Sequence, residues 1–240
     1  MRYLKPFYFS IALAIMGCKS NPNPPGTIAA LNISEDTTYS DTAGRPSIIN
    51  QQFAGRYLPV QDNELLIDCS GKIFILNDEN ELLKSNYQKN QVALSYSYES
   101  SIAKISGIIK PAITNGRDTI IVSEVKEVKP KSFDSECYNY EFIALGTEPF
   151  WSLEIIPDEN IIAIKDVAAG KAYRFSYRKP QISDGNYLYK TSNDEGTAEI
   201  TIKKENCNDG MSDRNYKYSA IIVIGDKPLS GCAIKKGDKL

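Results

Sequence analysis

The chain has 240 residues, with 28 Lys and Arg against 30 Asp and Glu, no histidine, and a formal net charge of −2. Without imidazole there is no Ser-His or Cys-His nucleophilic pair, no histidine-bearing zinc site and no side chain that titrates unperturbed near neutral pH. Basic residues are scattered among acidic ones and form no stripe that could track phosphates, so no nucleic-acid partner is expected.

Residues 1–18 fall into three zones: a basic start with Arg2 and Lys5, an apolar run over 7–16, and Gly17 ahead of Cys18. This is the pattern of a secretory signal. An apolar run of about ten residues is half the roughly twenty that a spanning helix needs, so cleavage rather than retention is expected. The tetrapeptide Ile15-Met16-Gly17-Cys18 resembles the bacterial lipobox, an ordinary signal peptide with a chance cysteine being the alternative. That resemblance implies a signal peptide over 1–17, lipidation of Cys18, and a membrane as partner through acyl chains that contribute about 0.8 kcal/mol per buried methylene. Loss of the two positive charges in 1–17 takes the net charge from −2 to −4. Lys19, not the aspartate associated with inner-membrane retention, follows the cysteine. The expected location is therefore the cell envelope, at the outer membrane, on its periplasmic or surface side.

Residues 18–51 are rich in Asn, Pro, Ser, Thr and Gly, with Asn21-Pro22-Asn23-Pro24-Pro25-Gly26 near their start. This composition predicts a disordered tether. Its typical span would be about 30 Å, or about 110 Å pulled straight.

Over 52–137, strand patterns surround one helix. Tyr57-Leu58-Pro59-Val60 and Leu65-Leu66-Ile67 are extended and apolar, the run 72–76 follows a turn at Ser70-Gly71, and Asp78-x-x-Glu81 has the form of a capping box. Leu82, Leu83 and Tyr87 then share one face of a short helix. Alternation of Val92, Leu94, Tyr96 and Tyr98 with Ala93, Ser95 and Ser97 predicts a strand, with further strands over 105–109 and 119–128. The predicted order is β-β-α-β-β-β, and a helix set into a small five-strand barrel is the OB architecture. Gly55-Arg56-Tyr57, Asp68-Cys69-Ser70-Gly71-Lys72, Glu81-Leu82-Leu83-x-x-x-Tyr87 and Cys137 resemble the OB-type domain of the NlpE-like envelope lipoproteins. The resemblance implies stress monitoring linked to copper or to defective lipoprotein traffic. The Cys-x-x-Cys of that family is missing here, which argues against copper handling.

Over 138–240, turn signals recur at Pro157-Asp158-Glu159-Asn160, Ala169-Gly170, Ser183-Asp184-Gly185-Asn186, Asn193-Asp194-Glu195-Gly196, Asn208-Asp209-Gly210 and Gly225-Asp226. Strand runs lie between them at 151–156, 161–167, 172–177, 198–203 and 216–224. A mainly β chain follows, the OB-like barrel being succeeded by an antiparallel β-meander that forms a small barrel or sandwich. Three motifs, Gly146-Thr147-Glu148-Pro149-Phe150-Trp151, Cys207-Asn208-Asp209-Gly210-Met211-Ser212-Asp213-Arg214 and Leu229-x-Gly231-Cys232-Ala233, together resemble an uncharacterised bacterial family of lipoproteins and membrane-attached proteins without assigned chemistry.

Beyond Cys18 the cysteines are Cys69, Cys137, Cys207 and Cys232, an even number suited to two disulfides among three pairings. Pairing neighbours along the chain, Cys69 with Cys137 and Cys207 with Cys232, lets each bridge bracket one β-rich segment. On the chain-entropy relation these bridges contribute about 4.4 and about 3.5 kcal/mol. The alternative, a soft-metal thiolate site, needs reduced cysteines and lacks any Cys-x-x-Cys.

Several residues carry candidate chemistry. Asn208, Asp209 and Asp213 offer oxygen ligands for Ca²⁺, but their spacing departs from the EF-hand, and Asn-Asp-Gly is a common turn. Glu148 and Arg214 stand among small and apolar residues, where a buried Glu–Arg bridge would offset the cost of an isolated charge. Trp151 shares a strand face with Leu153 and Ile155, which makes it a core anchor before it is a platform for a sugar or peptide. Ser101-Ile102-Ala103-Lys104 and Ser123-Glu124-Val125-Lys126 match Ser-x-x-Lys, yet they lie in strand runs and lack the companion Ser-Asp-Asn and Lys-Thr-Gly. No metal or cofactor is expected. The sequence points to a non-enzymatic, membrane-anchored binding or stress-sensing module with an envelope protein or small ligand as partner. The competing expectation is a carboxylate-dependent enzyme acting on cell-wall or glycan substrates through Glu148 or Asp213.

Overall fold

A ten-residue strand that buries side chains on both faces opens the folded part of the chain, and it sets the architecture. A computed structural model describes residues 49–60, 63–91, 95–114 and 116–238. The expectations for residues 1–17, for Cys18 and for all but the last residues of the tether lie outside the described residues.

Strands β1 (Gln51–Val60), β2 (Asn63–Asp68), β3 (Ile73–Asn77), β4 (Ser101–Lys110) and β5 (Thr119–Pro130) close a barrel in the order β1-β2-β3-β5-β4. All its pairings are antiparallel except β3 with β5, which is parallel. Helix α1 (Leu82–Lys89) lies between β3 and β4 in the chain. This is an OB-like small barrel, with the order β-β-β-α-β-β in place of the predicted β-β-α-β-β-β. Tyr96 and Tyr98 belong to no strand. Tyr98 sits in a turn with φ 60°, and Tyr96 is buried against Ile161 and Ala163, so their spacing reflects burial on a neighbouring surface and not a ladder. Val92, Ala93 and Leu94 are outside the described residues. Register shifts in the β4–β5 ladder, at Lys104/Ile105 and Ser106/Gly107, bend the long strands enough to close so small a barrel.

The capping box is also corrected. Asp78 Oδ1 and Oδ2 accept from the backbone N–H groups of Leu82 (3.0 Å) and Leu83 (2.7 Å), whereas Glu81 lies at φ 50° and its side chain pairs with Lys84 at 2.8 Å. Of the three residues expected on the buried face, Leu83 and Tyr87 enter the barrel core, while Leu82 is exposed.

After the barrel come β6 (Phe142–Thr147), β7 (Phe150–Ile156), β8 (Ile161–Asp166), β9 (Lys171–Ser176), β10 (Gln181–Ser183), β11 (Asn186–Asn193) and β12 (Gly196–Lys203). The short pair β13 (Cys207–Asn208) and β14 (Asn215–Tyr216) precedes β15 (Tyr218–Ile224) and β16 (Lys227–Lys235). Nine of them form one antiparallel sheet, β10-β11-β12-β15-β16-β6-β7-β8-β9, in which the last strand returns beside the first. The five predicted runs fall on β7, β8, β9, β12 and the β14–β15 segment, those over 161–167 and 172–177 running one residue past β8 and β9. Strands β6, β10, β11 and β16 had no predicted run. Curling brings β11 toward β9, where Thr191 Oγ1 donates to the Ser176 carbonyl and Asn193 Nδ2 to that of Arg174, each at 2.9 Å. The concave face of this half-barrel is filled by Phe142, Trp151, Leu153, Ile164, Phe175 and Tyr189 among others.

Both disulfides join neighbours along the chain. Cys69–Cys137 ties the β2–β3 turn to the segment after β5, and Cys207–Cys232 ties β13 to β16.

The outer face of β1 explains its double burial. Tyr57 points into the barrel core, so Arg56, one residue earlier, points away from it and into the sheet, where its side chain is 0 % exposed. Its guanidinium donates to Glu159 at 2.7 Å and to both oxygens of Asp158 at 2.8 and 2.5 Å, on the 3-10 turn Pro157–Glu159 between β7 and β8. Ser100 Oγ shares Glu159 at 2.9 Å. Lys131, just past β5, pairs with Glu154 of β7 at 3.0 Å and also donates to Tyr96 and Ser100. Lys165 of β8 pairs with Glu99 at 2.7 Å. Burial pushes the Glu154 carboxyl up, but the positive charges of Lys131 and Lys165 outweigh it and hold the group below the usual carboxylate range. Its contribution to stability is therefore present above the unfolded-state pKa and is lost as pH falls through the depressed one.

Two outcomes follow for the junction and the bridges. In urea unfolding, Arg56→Met and Glu159→Gln should each lower stability by about 3–5 kcal/mol, the double variant losing clearly less than the sum; simple additivity would show that the two charges are not coupled. Non-reducing peptide mapping should recover Cys69–Cys137 and Cys207–Cys232, and a Cys137–Cys207 peptide would contradict the pairing.

Candidate functional site

The three motifs of the sheet half lie far apart in sequence but meet on one surface. Thr147 and Phe150 pair across the Glu148–Pro149 turn of the β6–β7 hairpin, and β16 runs alongside β6 with Cys232 opposite Leu145. Trp151 is buried in the half-barrel core, at 2 % exposure, and its indole N–H donates to the Ser230 carbonyl of β16 at 3.1 Å. That bond binds the first motif to the third.

The small residues of both motifs follow from the indole. A Cβ at Gly146 would run into the Trp151 ring and the Ser230 carbonyl, and one at Gly231 into the Leu145 carbonyl and the same ring. Glycine is required at these two positions because only a bare backbone leaves the tryptophan room.

The middle motif is held by Asp209. Its carboxylate accepts from the backbone N–H groups of Met211 (3.0 Å) and Ser212 (2.8 Å), from Ser212 Oγ (2.8 Å) and from the Tyr216 hydroxyl (2.9 Å). Hydrogen bonds from Ser212, backbone and side chain, and from the Met211 backbone hold its carboxyl far below the usual range. Asp209 is thus taken up in closing its own turn, and Asn208 Oδ1 closes the overlapping one by accepting from Gly210 N at 2.7 Å. The turn docks on the hairpin through Thr147 Oγ1, which donates to the Asp209 carbonyl at 3.2 Å. Beneath it, Tyr216 packs with Cys207, Cys232 and Ile234.

Between these elements lies a cleft of about 310 Å³, bordered by Thr147, Glu148, Asn208, Asp209, Ser230 and the Cys207–Cys232 bridge. Glu148 and Arg214 do not form the expected buried bridge. Glu148 stands exposed on a two-residue turn, where water solvates it without a counter-ion, and Arg214 is exposed with its guanidinium 5.1 Å from the Phe133 ring centre. Asp213 is exposed as well, and Phe150 and Met211 are exposed apolar residues at 54 % and 69 %. Of the candidate residues, the fold brings Glu148, Trp151 and Asp209 together, with Trp151 and Asp209 engaged in structure and Glu148 free at the rim.

The buried ionic cluster around Arg56 was not anticipated. In the sequence Arg56 stands within the Gly55-Arg56-Tyr57 motif and Asp158-Glu159 reads as a turn signal. The available sign was an arginine inside an apolar strand, which requires a buried partner.

No family model, curated protein or solved structure matches this chain.

The division between built frame and free rim has a measurable consequence. Trp151→Ala should lower unfolding stability by about 3–5 kcal/mol, whereas Phe150→Ser and Glu148→Ala should stay within about 0.5 kcal/mol of wild type. Equal losses for all three would show that the rim is structural too.

Proposed function

We propose that this chain is a lipid-anchored, non-enzymatic binding module of the bacterial cell envelope, engaging a partner at the rim of the motif cleft. The observation that carries the reading is the convergence of three separated motifs on one cleft, whose bordering Glu148 is left exposed together with Phe150 and Met211, close by in the same motifs, after the fold has used the rest. Exposed apolar residues beside a carboxylate, on a frame braced by a buried indole and a disulfide, are what a recognition surface needs. The compartment is supported by the pairing of Cys69, Cys137, Cys207 and Cys232 in disulfides, which suits an oxidising environment. The same pairing leaves none of these four cysteines as a thiolate for copper. Anchoring rests on Ile15-Met16-Gly17-Cys18. Lipid on Cys18 and the following polar segment would hold the folded part near a membrane while leaving it room to turn toward a partner.

Fractionation and labelling test the anchor: wild type should pellet with membranes and incorporate labelled palmitate, and Cys18→Ala should do neither. Unchanged pelleting without loss of label would refute lipidation. For the binding surface, a photo-crosslinking amino acid at Phe150 should give a discrete adduct in cells that the same group at Lys190, on the far part of the sheet, does not; identical patterns from both positions would refute the rim as the recognition surface.

A further inference from the structure

A cavity of about 710 Å³ lies away from the motif cleft, at one mouth of the barrel. It is bounded by the ends of β1 and β3, the start of β2, the helix α1 and the turn that carries Tyr98. Several of its polar groups are already occupied. Asp78 caps α1, Glu81 and Lys84 pair with each other, and the half-buried Glu64 accepts from the Tyr57 hydroxyl at 2.7 Å. What remains on the lining is of a different kind: the exposed side-chain amides of Asn63 and Gln88, and the ring of Tyr98, which is 39 % exposed. Tyr98 holds this place from a left-handed backbone conformation, φ 60°, that a tyrosine rarely adopts.

We propose that this cavity is a saccharide-binding site, with Tyr98 as the surface on which a sugar ring rests and Asn63 and Gln88 as partners for its hydroxyls. An amide carries a donor and an acceptor side by side, which matches the alternating capacity of neighbouring hydroxyl groups without requiring a charge on the ligand. An aromatic face offers the apolar side of a pyranose a partner that is rigid and little hydrated. A phosphorylated or otherwise anionic ligand fits poorly, since Lys84 is the one cation among the described residues of the lining and is paired with Glu81 while Glu64 and Asp78 face the same space. The volume accommodates one to two sugar units, taking pockets of roughly 300–1,000 Å³ as the usual range for small ligands. The site is independent of the motif cleft and of the anchoring reading, since it lies on the barrel, its helix and the segment that joins the helix to β4.

The test uses the folded chain from residue 19 onward and three neutral probes, tri-N-acetylchitotriose, cellotriose and maltotriose, followed by saturation-transfer NMR and titration calorimetry. At least one probe should bind with a Kd of about 1 mM or tighter. Tyr98→Ala should weaken that binding at least tenfold and Gln88→Ala several-fold, while Phe150→Ser, at the motif cleft, should leave it unchanged. Tyr98 and Gln88 are surface residues, so circular dichroism and unfolding midpoints should match wild type and separate lost binding from lost fold. Binding of none of the three, binding that survives Tyr98→Ala, or binding abolished by Phe150→Ser would each overturn the proposal.

Discussion

A guanidinium with no exposed surface cannot exist in a folded protein without an anion beside it, and most of the architecture follows from where Arg56 finds one. Strand β1 alternates Tyr57 into the barrel with Arg56 out of it, so the only way to shelter Arg56 is to cover the outside of the barrel. The sheet does this with the turn between β7 and β8, whose Asp158 and Glu159 meet the guanidinium at hydrogen-bond distance. Once that contact is made, Lys131 and Lys165 reach Glu154 and Glu99 across the same surface, and Ile102, Tyr138 and Ile156 close an apolar contact next to it. Charges buried in this way contribute little net stability, but they penalise any other arrangement of the two halves, because each misplaced pair leaves ions desolvated and alone. The junction therefore specifies orientation more than it adds stability.

Trp151 plays the corresponding part inside the sheet. A large indole whose N–H must find an acceptor fixes the position of Ser230, and through the two glycines it fixes how closely β6 and β16 approach. The disulfide and the Asp209 turn then complete a rigid floor. This division of labour accounts for the mixed character of the motifs, in which glycines, a tryptophan and cysteines serve the frame while Glu148 and Phe150 serve nothing within it. It also separates the motif cleft from the barrel cavity. One is a small, braced notch with an apolar and acidic rim; the other is wide, lined by amides and a tyrosine, and set beside a helix that Asp78 alone caps.

Period-two alternation and turn chemistry are local properties, and for that reason the mainly β class, the OB-like barrel with its one helix, the antiparallel second half and the sequential cysteine pairs were legible in the sequence. The same local logic failed where burial came from elsewhere: Tyr96 and Tyr98 mimicked a strand because the sheet covers Tyr96, and β11 and β16 went unrecognised because their Lys, Ser and Thr outer faces dilute the apolar pattern. The residues at the candidate sites divide in the same way. Trp151 could be placed in the core from its neighbours Leu153 and Ile155, and Asp209 could be placed in a turn from Asn-Asp-Gly. The exposure of Glu148 and Arg214 and the partners of Arg56 could not, since a charge in a turn does not say whether it is solvated, and a charge in a strand states that a counter-ion is needed but not which one. Asp158 and Glu159 lie 102 and 103 residues from Arg56 along the chain, and only the packing of sheet against barrel brings them together.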